Sequence, residues 1–302
     1  MFHMPLRLML AAVAAVTACA ASAAPIPVVA AENFYGDIAR QIGGDQVRVT
    51  SILTNPDQDP HLFEASPSVA RALAGARVVV TNGVGYDPWM DKLLAASGAP
   101  GRVVVVAGDL VGKHAGDNPH IWYDPAVAVT VADALAEAFG TADAAHAPEY
   151  VQRLAAFRDS LAPVQGHIAA LRGRVAGAPV TATEPVLGVL FGLLGMEDRN
   201  AAFQRAVMND TEPGASDIAA FEGDLKGRRV RMLVYNSQAS SPMAARMARL
   251  ARAQGVTVVG ATETEPAGVA YQAWMARTVD AIDKALPSDK PPANKAPPAA
   301  RP

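Results

Sequence analysis

The chain has 302 residues, 51% of them hydrophobic and 18% charged, so it can bury a large core without disulfides. Its formal net charge is only −3 and no long block of like charge stands out, which excludes a nucleic-acid binder that works through a basic face. There is one Cys, Cys19, which excludes a disulfide framework and a cage of thiolates.

The first 23 residues read as a targeting segment. MFHMPLR carries positive charge, LMLAAVAAV is an apolar run too short to cross a bilayer, and ASA at 21–23 fits a signal-peptidase site. Cleavage after Ala23 predicts a secreted, periplasmic protein that starts at APIPVVAAE and has no Cys. The alternative is VTAC at 16–19, which resembles a lipobox and would anchor the chain to a membrane through a lipidated Cys19. Without Cys, any metal site must be built from His and carboxylates.

Short apolar runs then alternate with helical patterns. Strands are predicted at 27–31, 47–53, 76–83 and 102–108, and helices at 32–43, 66–76 and 88–98. Ser66 and Pro67 suit the cap and first position of a helix. After NPHIWYDP comes the helix AVAVTVADALAEAFG. Residues 147–177 then follow one helical period, with Val151, Leu154, Phe157, Leu161, Ile168 and Leu171 as the apolar face and Pro163 as a candidate kink. About 27 helical residues would reach about 40 Å, long enough to be a spine between two lobes. A second alternating series follows, with strands at 178–183, 229–236 and 256–262 and helices at 185–195, 214–227, 241–255 and 268–286. Residues 288–302, rich in Pro, Ala and Lys, read as a disordered tail. The expected class is α/β: two α/β lobes with mostly parallel sheets, spanning 24–146 and 178–287, joined by one long helix.

Open α/β sheets bind ligands beyond the carboxyl ends of their strands. His61 lies in the loop after the strand at 47–53, within TNPDQDPHLFEAS, and His120 in the loop after the strand at 102–108, within DNPHIWYDP. Each imidazole follows a Pro, in a chain with only six His. Glu184 and Glu263 directly follow strands of the second lobe, and spacing alone leaves Glu265 as a rival to Glu263. Two neutral imidazoles and two carboxylates carry charge −2, which matches a divalent cation and suits Mn²⁺, Zn²⁺ or Fe²⁺ better than Ca²⁺ or Mg²⁺. A ring nitrogen turned away from metal needs a carboxylate or carbonyl partner, for which Asp59, Asp117 and Asp124 are near in sequence. HExxH, GxSxG and P-loop motifs are absent. YNSQASSP, 235–242, reads as a polar loop that lines the cleft or caps the next helix.

With these residues in view, the chain resembles the metal-binding solute-binding proteins of zinc and manganese ABC importers. The likeness rests on NFYGDIARQIGG, DPHLFEASPSVARALAGARVVVTNGVGYDPWMDKLL, NPHIWYDP, the long helix and YQAWM, and covers 26–287. It implies a metal in the interlobe cleft, held by His61, His120, Glu184 and Glu263, with Glu263 replacing the usual Asp and Glu265 in reserve. It also implies no catalysis, a monomer, and an ABC permease of the inner membrane as partner. Glu184, where many zinc members have His, and the lack of a long His-rich loop before NPHIWYDP tilt the expectation toward Mn²⁺ over Zn²⁺. The single spine implies small loop or tilt changes on release, not wide hinge closure. Two rivals use the same cleft. A metal-dependent hydrolase needs an open coordination position and a nearby base. A metal-stabilised adhesion or interaction protein would unfold on chelation.

Overall fold

The computed structural model describes residues 24–55, 63–238 and 241–287. The expected targeting segment, His61, Asp59 and the tail from 288 lie outside the described residues. The first lobe contains β1 (Ile26–Glu32), α1 (Asn33–Gly43), β2 (Val47–Leu53), α2 (Pro67–Ala74), β3 (Val78–Thr81), α3 (Pro88–Ala96), β4 (Val103–Val106), α4 (Ala107–Leu110) and α5 (Pro125–Ala142). The spine is α6 (Ala147–Val175). The second lobe contains β5 (Pro179–Ala182), α7 (Gly188–Leu194), β6 (Glu197–Arg199), α8 (Ala201–Met208), α9 (Ala215–Lys226), β7 (Met232–Asn236), α10 (Pro242–Ala253), β8 (Thr257–Ala261) and α11 (Tyr271–Ala285).

Each lobe holds one four-stranded parallel sheet, and the strand order repeats: β2-β1-β3-β4, then β6-β5-β7-β8. The central strands are runs of β-branched and small residues, buried on both faces as helix-covered parallel strands must be. β6 and α8 are not expected from sequence. EDR at 197–199 is charged and short, and it lies at a sheet edge, where no apolar pattern is needed.

The spine runs unbroken through Pro163, although Pro offers no N–H to the carbonyl one turn back. Phe157, Leu161, Ile168 and Leu171 are buried as the period predicts, and Val164 and Val175 join them. Val151 is a correction: it faces solvent, while its neighbour Tyr150 turns inward onto Phe139 with ring centroids 5.7 Å apart. One continuous apolar core threads from β1, β3 and α5 along α6 into β5, α7 and α11. Smaller clusters fill the outer faces, including a stacked Phe203–Phe221 pair.

Hydrogen bonds also tie the lobes directly. Tyr123 Oη donates to Thr262 O at 2.6 Å and Tyr271 Oη to Trp122 O at 2.6 Å. Asn33 pairs with the backbone of Glu265 in both directions, at 2.7 and 2.9 Å. Asn118 Nδ2 donates to Pro185 O at 2.8 Å.

Candidate metal centre

His120 enters the cleft from a short 3-10 turn, Ile121–Tyr123, whose end is fixed by Asp124: its Oδ1 accepts from Ala126 N and Pro125 opens α5. The imidazole lies edge-on to Trp122 and to Tyr86, with centroids 5.1 and 6.0 Å away. Its Nδ1 is 2.8 Å from Asn118 Oδ1. The Asn118 amide is oriented by its own donation to Pro185 O, so Oδ1 is the acceptor and Nδ1 carries the hydrogen. The lone pair of the neutral ring is therefore on Nε2, which points across the cleft to Glu263 Oε2 at 3.3 Å. The ring partner is thus a side-chain carbonyl, one of the two kinds expected, and is neither Asp117 nor Asp124. Asp117 instead accepts from His114 N, and Asp124 serves as a helix cap.

Glu184 and Glu263 stand just past the ends of β5 and β8, where the open-sheet rule places them. Both are buried, at 3% and 0% exposure, as is His120 at 0%. One residue joins the two carboxylates. Asn236, the last residue of β7, donates one amide hydrogen to Glu184 Oε2 at 2.9 Å and the other to Glu263 Oε1 at 2.6 Å. Its Oδ1 accepts from Gln238 N at 3.0 Å, so the amide has only one workable orientation. Gln238 braces the same corner: its Oε1 accepts from the backbone of Glu263 and of Thr264, and its Nε2 donates to Thr264 Oγ1. Ser241, further along, caps α10 by accepting from Ala244 N.

Glu265 turns the other way, toward α1. Burial, then the Asp37 charge, raises its carboxyl to about 8, against a smaller opposing pull from Arg40. His167 bridges to α11, with Nε2 2.9 Å from Asp283, and exposed His114 takes no part. His146 is half-buried, with its Nδ1 2.6 Å from Asp143 Oδ2.

A buried acid pair lies beneath the first-lobe side of the site. Asp87 accepts from the backbone N–H of Asn82 and Gly83, each at 2.8 Å. Gly83 makes this close turn with φ of +70°, a region open to glycine. Burial lifts Asp87 to about 6 against those N–H groups. Glu32, at the end of β1, is fully buried without a donor to either oxygen. Burial first, and the neighbouring Asp87 charge second, hold it well above the usual carboxylate range. Its contact with Asp87 becomes a hydrogen bond only when Glu32 carries the proton. Asn82 also accepts from Tyr35 Oη and donates to Pro119 O, which connects the pair to the His120 loop.

The structure thus gathers His120, Glu184 and Glu263 around one amide. Among the described residues no three His, Cys, Asp or Glu side chains close by themselves into a metal cage. Asn118 is a site residue that sequence reasoning missed, whereas Asn236 and Gln238 fall in YNSQASSP, the polar loop expected to line the cleft or cap the next helix. Asn236 does carry a readable signal, since it ends a strand beside the strands that lead into Glu184 and Glu263.

Paired parallel-sheet lobes on a spine helix, with a buried imidazole and two buried carboxylates meeting between them, define a two-lobed binding protein. The chain belongs to the ZnuA family, zinc-uptake complex component A periplasmic, which matches residues 28–285. This is a family of solute-binding proteins of metal ABC importers, not of enzymes. A putative metal-binding protein of Thermotoga maritima is 33% identical over 103 residues, 32% of this chain and 34% of that protein. The manganese-binding lipoprotein MntA of Bacillus subtilis is 27% identical over 143 residues, 45% of this chain and 46% of that protein. The chain thus spans a third to a half of the length of these two curated relatives. The solved structure of the periplasmic zinc binding protein TroA from Treponema pallidum shares the fold, with a TM-score of 0.73 at 19% identity, over 87% of this chain and 99% of that one.

Proposed function

We propose that this chain captures one divalent transition-metal ion between its lobes and hands it to the permease of an ABC importer. It does so as a monomeric extracytoplasmic protein of the periplasm. His61, His120, Glu184 and Glu263 are the ligands, and Mn²⁺, Zn²⁺ and Fe²⁺ are the ions their chemistry admits. The observation that carries the reading is the buried approach of His120 Nε2 to Glu263 Oε2 at 3.3 Å. Two lone-pair acceptors face each other there, so a proton or a cation must sit between them. Donors about 2.1 Å from one ion and about 100° apart would stand about 3.2 Å from each other, so the spacing suits a shared ion. The relatives support a metal cargo of this kind: the Bacillus protein is named for manganese and the Treponema protein for zinc. Glu184 keeps the tilt toward Mn²⁺ that the resemblance suggests.

The test is metal analysis of the purified protein, with competitive titration by Mn²⁺ and Zn²⁺. His61→Ala, His120→Ala and Glu184→Ala are run beside the wild type. One ion per chain, lost in the variants while circular dichroism stays native after chelation, supports a carrier. A wild type that takes up no stoichiometric metal ends this reading.

A further inference from the structure

We propose that Gly188 is a positioning residue of the metal site. Its bare Cα lets Asn118 reach across the lobe boundary, and that one amide holds His120 and Glu184, which enter from opposite lobes, in a fixed register. The inference deepens the metal-carrier reading and rests on it.

Asn118 precedes His120 in the same loop. Its Oδ1 accepts from the backbone N of His120 at 3.0 Å and lies 2.8 Å from His120 Nδ1, so the acceptor end of the amide is committed to its own loop. Nδ2 is left to face the second lobe, where it donates to Pro185 O at 2.8 Å. Pro185 directly follows Glu184, so the tie lands beside a carboxylate of the opposite lobe. The same carbonyl accepts from Gly188 N, one turn on. A carbonyl oxygen has two lone pairs, and here both are engaged. The shared acceptor sets the Cα of Gly188 beside the incoming amide.

The glycine answers no backbone need. Gly188 has φ of −59° and ψ of −36°, ordinary helical values, at the start of α7. Ala is favoured over Gly in such a place. What excludes a side chain is Asn118: a Cβ on Gly188 would stand 2.6 Å from Asn118 Nδ2, while Asp198 Oδ2 would lie at an ordinary 3.8 Å. The colliding atom is the end of a side chain, not backbone, so the fold can absorb the methyl. Either the amide withdraws from Pro185 O or the lobes part at this edge. In both cases His120 and Glu184 lose their register while each lobe keeps its interior. Gly192, one turn along α7, gives the contrast, since among the described residues nothing lies within 4 Å of a Cβ built there.

Gly188→Ala should keep a native circular dichroism spectrum and lose affinity for Mn²⁺ and Zn²⁺ by about tenfold in calorimetric titration, whereas Gly192→Ala should bind as the wild type does. In an Asn118→Ala background Gly188→Ala should cost nothing further, because there is no amide left to displace. A metal-independent readout comes from heteronuclear NMR in chelator. In the wild type one Asn118 Nδ2 hydrogen, bonded to Pro185 O, should exchange more slowly than the other. Gly192→Ala should keep that contrast and Gly188→Ala should lose it. Gly188→Ala binding like the wild type overturns the proposal, as does an equal loss in Gly192→Ala or an undiminished loss in the Asn118→Ala background. Two Asn118 hydrogens that exchange alike in the wild type also overturn it, and decide the matter even if Gly188→Ala does not fold. If the wild type takes up no stoichiometric metal yet keeps the contrast at Asn118, the carrier reading is what has failed, and the proposal falls with it for that reason alone.

Discussion

Glu32→Gln should make the metal-free protein more stable as pH rises, although it removes a charged residue type from the interior. In the wild type Glu32 is buried beside Asp87, whose two oxygens are already engaged by backbone N–H groups. The folded state therefore keeps Glu32 protonated at a pH where the unfolded chain has lost that proton. A carboxyl raised in the folded state contributes its full stability below its unfolded pKa and loses it as pH climbs toward the folded one. The loss is one proton's worth, about 1.4 kcal/mol per pH unit. Over the interval between the unfolded and the folded pKa that loss accumulates with pH, and it counts against the roughly 5–15 kcal/mol that holds a typical domain folded. The glutamine amide keeps a donor toward Asp87 and does not titrate, so this slope should vanish from the variant. Urea unfolding of both proteins in chelator, at three pH values across that window, gives the difference directly. Titrating groups away from the pair, Glu265 included, are common to both and cancel, whereas Asp87 is coupled to Glu32 and its titration is part of the difference. Parallel stability curves would refute the account and mean that Glu32 is not held neutral in the fold.

Other perturbations test other links. Asn118→Ala removes the acceptor that fixes the His120 tautomer, and metal affinity should drop by about 10–100-fold with the fold intact, while Asn118→Asp restores the acceptor and most of the affinity in a calorimetric titration. Tyr271→Phe strands the buried Trp122 carbonyl across the lobe boundary and should cost about 1–3 kcal/mol in denaturant unfolding. Leu161→Ala opens a cavity at the middle of the spine, and about 2–5 kcal/mol should be lost in the same assay.

The lobes and their parallel sheets are legible in the sequence because central strands and covering helices have distinct apolar periods. The edge strand β6 is not, since three charged residues that pair on one side carry no such period. The strand-end rule reaches Glu184 and Glu263, but the choice between Glu263 and Glu265 is invisible in TETEP. Two residues apart in an extended chain, they would share one side. The turn in which Thr262 Oγ1 donates to Thr264 O sends them apart, one to His120 and the other to α1. The amides escape a search for charged groups as ring and cation partners. An amide can replace a carboxylate as acceptor, as Asn118 does, and can also hold two carboxylates together, as Asn236 does.

The unbroken core along α6 bears on how the chain could be divided. Leu161, Ile168 and Leu171 of the spine belong to the same packed interior as Val28 in one sheet and Val180 in the other. Each half keeps a smaller cluster of its own on its outer face, but the main interior is shared. A fragment cut at either end of the spine would carry a raw apolar face into solvent, and the two fragments would reassemble or precipitate before either behaved as a free module. For the intact chain the corollary is a single calorimetric unfolding peak. Two separate peaks would show that the spine joins the lobes without sharing their interior.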